Sequence, residues 1–226
     1  LSVFPAASRN FWLGVLNGLC FTLAETLIDP TLVLVAFVSR LTDSPVLIGL
    51  VAPLRDGAWF LPQFWLSGQV QSLPTKLTLY RQTAVVRLVA WGALVLLTAL
   101  TPAPPLLLLG FFAAFGTYAI ASGFGGLAFM EVVGKTVPPG RRAVFFAWRL
   151  FLGGLAGLGA AARVRWLLSD AAPLAFPHNF SLLFGLGWLA AALGLAVFGI
   201  IREPPDERPR PRVSAGVQLG RAWQIL

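Results

Sequence analysis

The 226-residue chain has one cysteine, one histidine and one methionine, and only 12% of its residues are charged. The lone Cys20 permits no intrachain disulfide and no cysteine-built metal cluster. The lone His178 stands in a polar loop, which leaves no histidine ligand pair and no Ser–His set within an apolar run. No cofactor or metal is therefore expected, and an enzyme is disfavoured. A soluble domain carries about 25% charged residues, so this chain lacks the means to coat a water-facing surface. No hydrophilic stretch is large enough to house soluble chemistry. A secretory signal is also missing from Leu1–Asn10, and the apolar run that follows is too long for a signal-peptide core. The chain starts at Leu1 and stops at Leu226 without an obvious end, which suggests a piece of a longer protein.

What is present is apolar. Hydrophobic residues make up 57% of the chain, and the mean hydropathy is +0.79. Runs of roughly 20 apolar residues are the mark of membrane helices. Six are read here, at about 10–38, 46–66, 83–100, 106–130, 143–167 and 180–201. The expected fold is all-α, a polytopic bundle over residues 1–201. The charged, proline-rich run Arg202–Arg212 (REPPDERPRPR) then forms an extended linker. Residues 202–226 are expected to be cytoplasmic and to begin an amphipathic helix. Glycines in spans four and five suit close helix packing. Tryptophans near span ends suit an interfacial belt, and mid-span ones are expected to line a cavity.

The net charge of +8 comes from short polar gaps rather than from one basic face. With the N-terminus inside, the inner segments hold Arg9, Lys76, Arg81, Arg87, Lys135, Arg141, Arg142, Arg202, Arg208, Arg210, Arg212 and Arg221. That is 12 of the 17 basic residues. The outer gaps hold Arg40 alone. The positive-inside rule then puts both termini in the cytoplasm of a multi-pass protein, in a bacterial inner (plasma) membrane. Nucleic acid is not expected as a partner.

Ionisable groups inside the spans point to function, because burying them in hydrocarbon is costly. Glu25 and Asp29 lie four residues apart on one side of a helix, with Gly14, Gly18 and Thr22 on roughly the same face. At about 1.5 Å rise per residue, Asp29 and Arg55 lie at similar depth near mid-membrane. Spans joined by a short loop pack as antiparallel neighbours, so an Asp29–Arg55 ion pair is expected. Glu25, one turn deeper, is expected to stay unpartnered and to serve reversible protonation. Asp56 points about 100° away from Arg55. Pro30 should kink or open span one beside the acids. Arg149 lies two turns into span five, too deep for simple loop solvation. Glu25, Asp29, Arg55, Asp56 and Arg149 are the candidate substrate- and proton-coupling residues.

The layout resembles the N-terminal half of a major facilitator superfamily transporter over essentially the whole chain. The resemblance rests on six spans with both ends inside and on basic loops between spans two and three and between four and five. A charged REPP-type exit leads into the linker. The family's two–three loop signature, GxxxD-(R/K)-x-G-(R/K), corresponds here to Gly68-Gln-Val-Gln-Ser72-Leu-Pro-Thr-Lys76. This stretch keeps the glycine and a basic residue but places Ser72 where the acid stands. The resemblance implies two inverted three-helix repeats, alternating access and a gating cluster at Gly68, Ser72, Lys76, Glu131 and Arg142. It also implies a C-terminal six-helix half of the same polypeptide, a small-molecule substrate and proton coupling, with efflux slightly favoured. The competing readings are a non-transporting scaffold or sensor with structural buried charges, and a membrane-embedded enzyme.

Overall fold

The computed structural model describes residues 3–100 and 103–206, with side chains described for 8–60, 70, 72–100 and 103–206. Arg208, Arg210, Arg212, Arg221 and the expected amphipathic helix lie outside the described residues. Every regular element described is helical: α1 (Val3–Leu27), α2 (Val33–Ser39), α3 (Pro45–Gln71), α4 (Leu77–Ala99), α5 (Pro104–Thr136), α6 (Arg142–Leu167) and α7 (His178–Gly199). A 3-10 turn at Pro139–Arg141 leads into α6. Four of these helices, α4, α5, α6 with its leading turn, and α7, are long and apolar enough to cross a membrane. Among the described residues, neither α1 nor α3 supplies such a stretch. Their described residues include Asn10, Asn17 and Glu25 in α1, and Arg55 and Asp56 in α3.

The first apolar run is two helices rather than the single one expected. The backbone leaves the helix after Leu27 and resumes at Val33. Pro30 has no N–H to continue the ladder, and its ring excludes a straight helix. Asp29 satisfies the donors this break exposes. Its Oδ1 accepts from the Thr31 N–H (2.9 Å), the Thr31 hydroxyl (2.7 Å) and the Leu32 N–H (2.8 Å).

The order in space differs from the order in sequence. α1 packs on α6 and α7, α5 packs on α3 and α4, and α4 packs on α7. The expected neighbours α1 and α3 do not pack along one another, and of the first apolar run only the short α2 lies along α3. If α1 with α2 is counted as one unit, exchanging the first three helical units with the last three leaves these five pairings unchanged.

Small residues decide how close the helices come. Gly14, Gly18 and Thr22 form the stripe expected on α1, and it faces α6. A Cβ at Gly18 would lie 2.7 Å from Arg149 Cγ, and one at Gly153 would lie 2.6 Å from Thr22 Oγ1. Gly157 faces Thr26 one turn on, whereas Gly154 and Gly159 have open space around them. The glycine cluster of α6 is therefore a Gly153–Gly157 seam four residues apart, the spacing that lets two helix backbones approach.

Arg9 Nη2 donates to the Ile200 carbonyl (2.8 Å), Asn10 Nδ2 to that of Arg202 (3.0 Å), and Arg81 Nε to that of Gly199 (2.8 Å). The start of α1, the start of α4 and the end of α7 thus meet at one end of the bundle. The outside of the bundle is apolar. Val89, Leu96, Leu109, Leu150 and Leu158 are all more than half exposed. Contiguous apolar surface of this kind is compatible with an integral membrane protein.

Candidate functional site

With α1 turned toward α6 and α7, and α3 toward α5, a groove opens between the two sets. Glu25 and Arg55 face each other across it. Arg55 Nη2 lies 3.1 Å from Glu25 Oε1. This corrects the expected pairing: Arg55 takes Glu25, while Asp29 is spent on the backbone at the helix break. Both partners stay about half exposed to the groove, 44% for Arg55 and 54% for Glu25. Glu25 is therefore neither buried nor unpartnered.

Glu25 borders three cavities. A small one of about 50 Å³ is walled by Phe21, Ile28, Trp59, Tyr118 and Ser122 besides the ion pair. A second, of about 270 Å³, reaches from Glu25 past Phe21 and Trp59 to Tyr80, Arg87 and Arg149. The third, about 660 Å³ and wider, opens between α1 and α6 past Thr26 and Asp29 to Arg165. The lining follows helical spacing: Asn17, Phe21 and Glu25 on α1, Arg55 and Trp59 on α3, and Tyr118, Ser122, Gly125 and Phe129 on α5. Trp59 meets the expectation of a cavity-lining tryptophan. Trp91 and Trp188 instead lie at the α4–α7 contact, donating to Phe184 O (3.3 Å) and Leu88 O (2.8 Å).

Below the ion pair the groove is floored by a polar network within the helix contacts. Asn17 is buried at 1% exposure. Its Nδ2 donates to the Gly194 carbonyl (2.9 Å) and to Tyr80 Oη (3.2 Å), and its Oδ1 accepts from Arg149 Nη1 (3.0 Å). Arg149 also donates to the Gly14 carbonyl and lies over the Phe129 ring at 4.7 Å. One asparagine thereby ties α1 to α4, α6 and α7. Arg87, two turns along α4 from Tyr80, is 2% exposed and lies over the Tyr80 and Phe21 rings at 5.4 and 5.7 Å. Its Nε donates to Thr83 O (3.3 Å), while its Nη2 and the hydroxyl of Ser122 are buried without a hydrogen-bond partner.

The expected gating residues do not assemble as one cluster. Lys76 is buried and pairs with Asp206. Lys135 joins them, 2.7 Å from Glu203 and 2.9 Å from Asp206. Glu203 also accepts the backbone N–H groups of Lys76 (3.0 Å) and Leu77 (2.7 Å), capping α4, which lacks a side-chain cap of its own. The acids of this latch thus come from the exit of α7, not from the two–three loop or Glu131. Lys76 Nζ and Lys135 Nζ hold the Asp206 carboxyl below its ordinary value of 3.8. Arg142 instead closes the end of α5, donating to Val137 O (3.2 Å) and Gly134 O (2.6 Å). Glu131 is half-buried, and no ion pair to it is found among the described residues. Gly68 lies within α3 at a position whose surroundings are outside the description, and Ser72 stands just beyond that helix. Asp56 is exposed, away from the groove.

Of the sequence-derived coupling residues, the structure brings Glu25, Arg55 and Arg149 to one groove, with Asp29 at its rim. Sequence reasoning missed Asn17, Tyr80, Arg87, Lys135, Glu203 and Asp206 as site or latch residues. Asn17 was detectable as an amide within an apolar run. Arg87 was visible, but it reads as an end-of-span charge until α5 is packed over it. No family model matches the chain, and no curated protein or solved structure matches it.

Proposed function

We propose that the protein is a secondary active transporter of a small molecule that works by alternating access, with the described bundle forming one six-helix half. The observation that carries this reading is the Glu25–Arg55 pair at the meeting point of three cavities, beside a helix broken at Pro30. Broken helices and buried charges at mid-membrane depth mark transport sites. The exchange symmetry of the helix pairings supports two inverted three-helix repeats, in which α1/α2 and α5 are equivalent and both line the groove. The remaining groove wall would come from a C-terminal six-helix half of the same polypeptide. In this reading α1 with α2, and α3, complete six spans. The basic ends of the helices lie in the cytoplasm of a bacterial inner membrane, and the Lys76–Lys135–Glu203–Asp206 latch closes the cytoplasmic side.

Coupling follows from the pair. A proton on Glu25 removes its charge, frees Arg55 and lets the α1 and α3 walls move apart. The substrate and the ionised Glu25 carboxylate compete for the same guanidinium, so a proton on Glu25 frees Arg55 for the substrate and couples the two events. The test is substrate flux by the full-length polypeptide in proteoliposomes, with and without a pH gradient. Glu25→Gln is expected to abolish the gradient dependence while leaving the protein folded. Gradient-driven flux that is unchanged in Glu25→Gln would eliminate Glu25 as the coupling group.

A further inference from the structure

The cavity of about 270 Å³ below the Glu25–Arg55 pair holds two more guanidinium groups, Arg87 and Arg149, and neither has an acidic partner among the described residues. Among the described residues no acid pairs with either arginine, Glu131 included. Asp29 caps the helix break, Glu203 and Asp206 hold the lysines, and Asp56 is exposed. Positions 61–69 and 71 contribute no acid by sequence. Arg149 is satisfied by neutral acceptors, Asn17 Oδ1 and the Gly14 carbonyl. Arg87 is not, because its Nη2 is enclosed without any acceptor. A buried charge is normally paired, and one left with an empty donor is costly. Around it lie the Thr83 carbonyl and the Tyr80 and Phe21 rings, and ring contacts offset only part of that cost. Gly125 is the reason the guanidinium can sit there: a Cβ would lie 2.8 Å from Arg87 Nη2.

The geometry points to an organic anion as the occupant of this cavity. Its carboxylate or phosphate oxygens would be taken by Arg87 and Arg149, and its apolar body would lie between Phe21, Trp59 and Phe129. Two planar guanidinium groups in the lining of one cavity suit such oxygens better than any neutral group. The volume is near the lower end of small-molecule pockets, roughly 300–1,000 Å³, so the ligand is small. This rests on the transport reading and names the class of its substrate. The same anionic chemistry also occurs in lipid headgroups, and the experiment separates the two sources.

The probe is benzoate, with the neutral benzamide as its isostere, and the readout is the unfolding temperature of the purified full-length protein in uncharged detergent. Benzoate is expected to raise that temperature saturably, and benzamide is not. Arg87→Gln and Arg149→Gln should each weaken the benzoate response by at least about tenfold, the loss expected for a hydrogen bond to a charged group. Arg163→Gln, exposed and outside the cavity, should leave it unchanged. If Arg87→Gln fails to fold, Arg87→Lys serves, keeping the charge but losing the fork, and should still weaken binding. Equal responses to benzoate and benzamide, or undiminished binding in the variants, would overturn the proposal. So would protection by phosphatidylglycerol alone with no benzoate response, which would assign the cavity to a lipid. Benzoate binding without flux of any organic anion would sink the transport reading and leave the anion site standing. Flux of neutral solutes without benzoate binding would do the reverse.

Discussion

Replacing Glu203 tests the latch at the basic end of the bundle most directly. Its side chain is 1% exposed and makes three interactions at once. It accepts from the Lys76 and Leu77 N–H groups at the start of α4, and it pairs with Lys135 at the end of α5. Losing a helix cap costs about 1 kcal/mol, with a range of roughly 0.5–2. Stranding the charge of a buried pair costs about 3–5 kcal/mol, but Lys135 is 15% exposed and keeps Asp206. The lower part of that range therefore applies, and Glu203→Ala should cost about 3 kcal/mol in total. Glu203→Gln keeps one acceptor for the α4 terminus and loses only the charge, so about 1–2 kcal/mol is expected. The assay is denaturant unfolding in a fixed detergent, followed by helical circular dichroism. A double-mutant cycle with Lys135→Met should return a coupling between about 0.5 and 3 kcal/mol. A Glu203→Ala loss below about 0.5 kcal/mol, the range of an ordinary surface change, would refute the capping and pairing argument together.

Other expectations follow from the same geometry. Because Asp206 has a depressed carboxyl value when folded, its contribution is present above pH 3.8 and is lost as the pH falls below that through the depressed value. The denaturant midpoint should fall in that window in wild type and not in Asp206→Asn. Asp29→Ala should cost about 1 kcal/mol as a lost cap, while Asp29→Asn should cost clearly less, both read by unfolding. A stability cycle between Glu25→Gln and Arg55→Gln should give about 0.2–1 kcal/mol, typical of a pair this exposed, and the cycle between Asp29→Asn and Arg55→Gln should give none. Gly153→Ala should destabilise by about 1–3 kcal/mol through the Thr22 contact, whereas Gly154→Ala, with open space around it, should be neutral or slightly stabilising.

The helices themselves were legible. Long apolar runs put α6 and α7 within two residues of their observed ends, whereas α4 begins six residues earlier and α5 ends six residues later than expected, because polar first and last turns lie outside the apolar runs. Pro30 marked where the first run could kink or open, but proline alone did not decide a break, since α3 runs through Pro53 and Pro62. The stripe of Gly14, Gly18 and Thr22 announced a close contact, although not the identity of the helix it meets.

Partnership was not legible. Depth along a span follows from residue counting, and by depth Asp29 and Arg55 looked matched. Which side chain meets Arg55 depends on the direction each helix presents and on local backbone donors competing for Asp29. Once the helix breaks, three nearby donors hold Asp29 to its own turn, and α1 rotates Glu25 into the groove instead. Arg87 became a site residue only because α5, nearly 40 positions later, brings a glycine against it. The acids of the latch come from Glu203 and Asp206, more than 120 positions beyond Lys76. The sequence by itself settled where this protein is helical and apolar and where its first helix could kink or open. The tertiary structure alone decided which charges face one another, because that depends on helix rotation and on contacts between residues far apart in the chain.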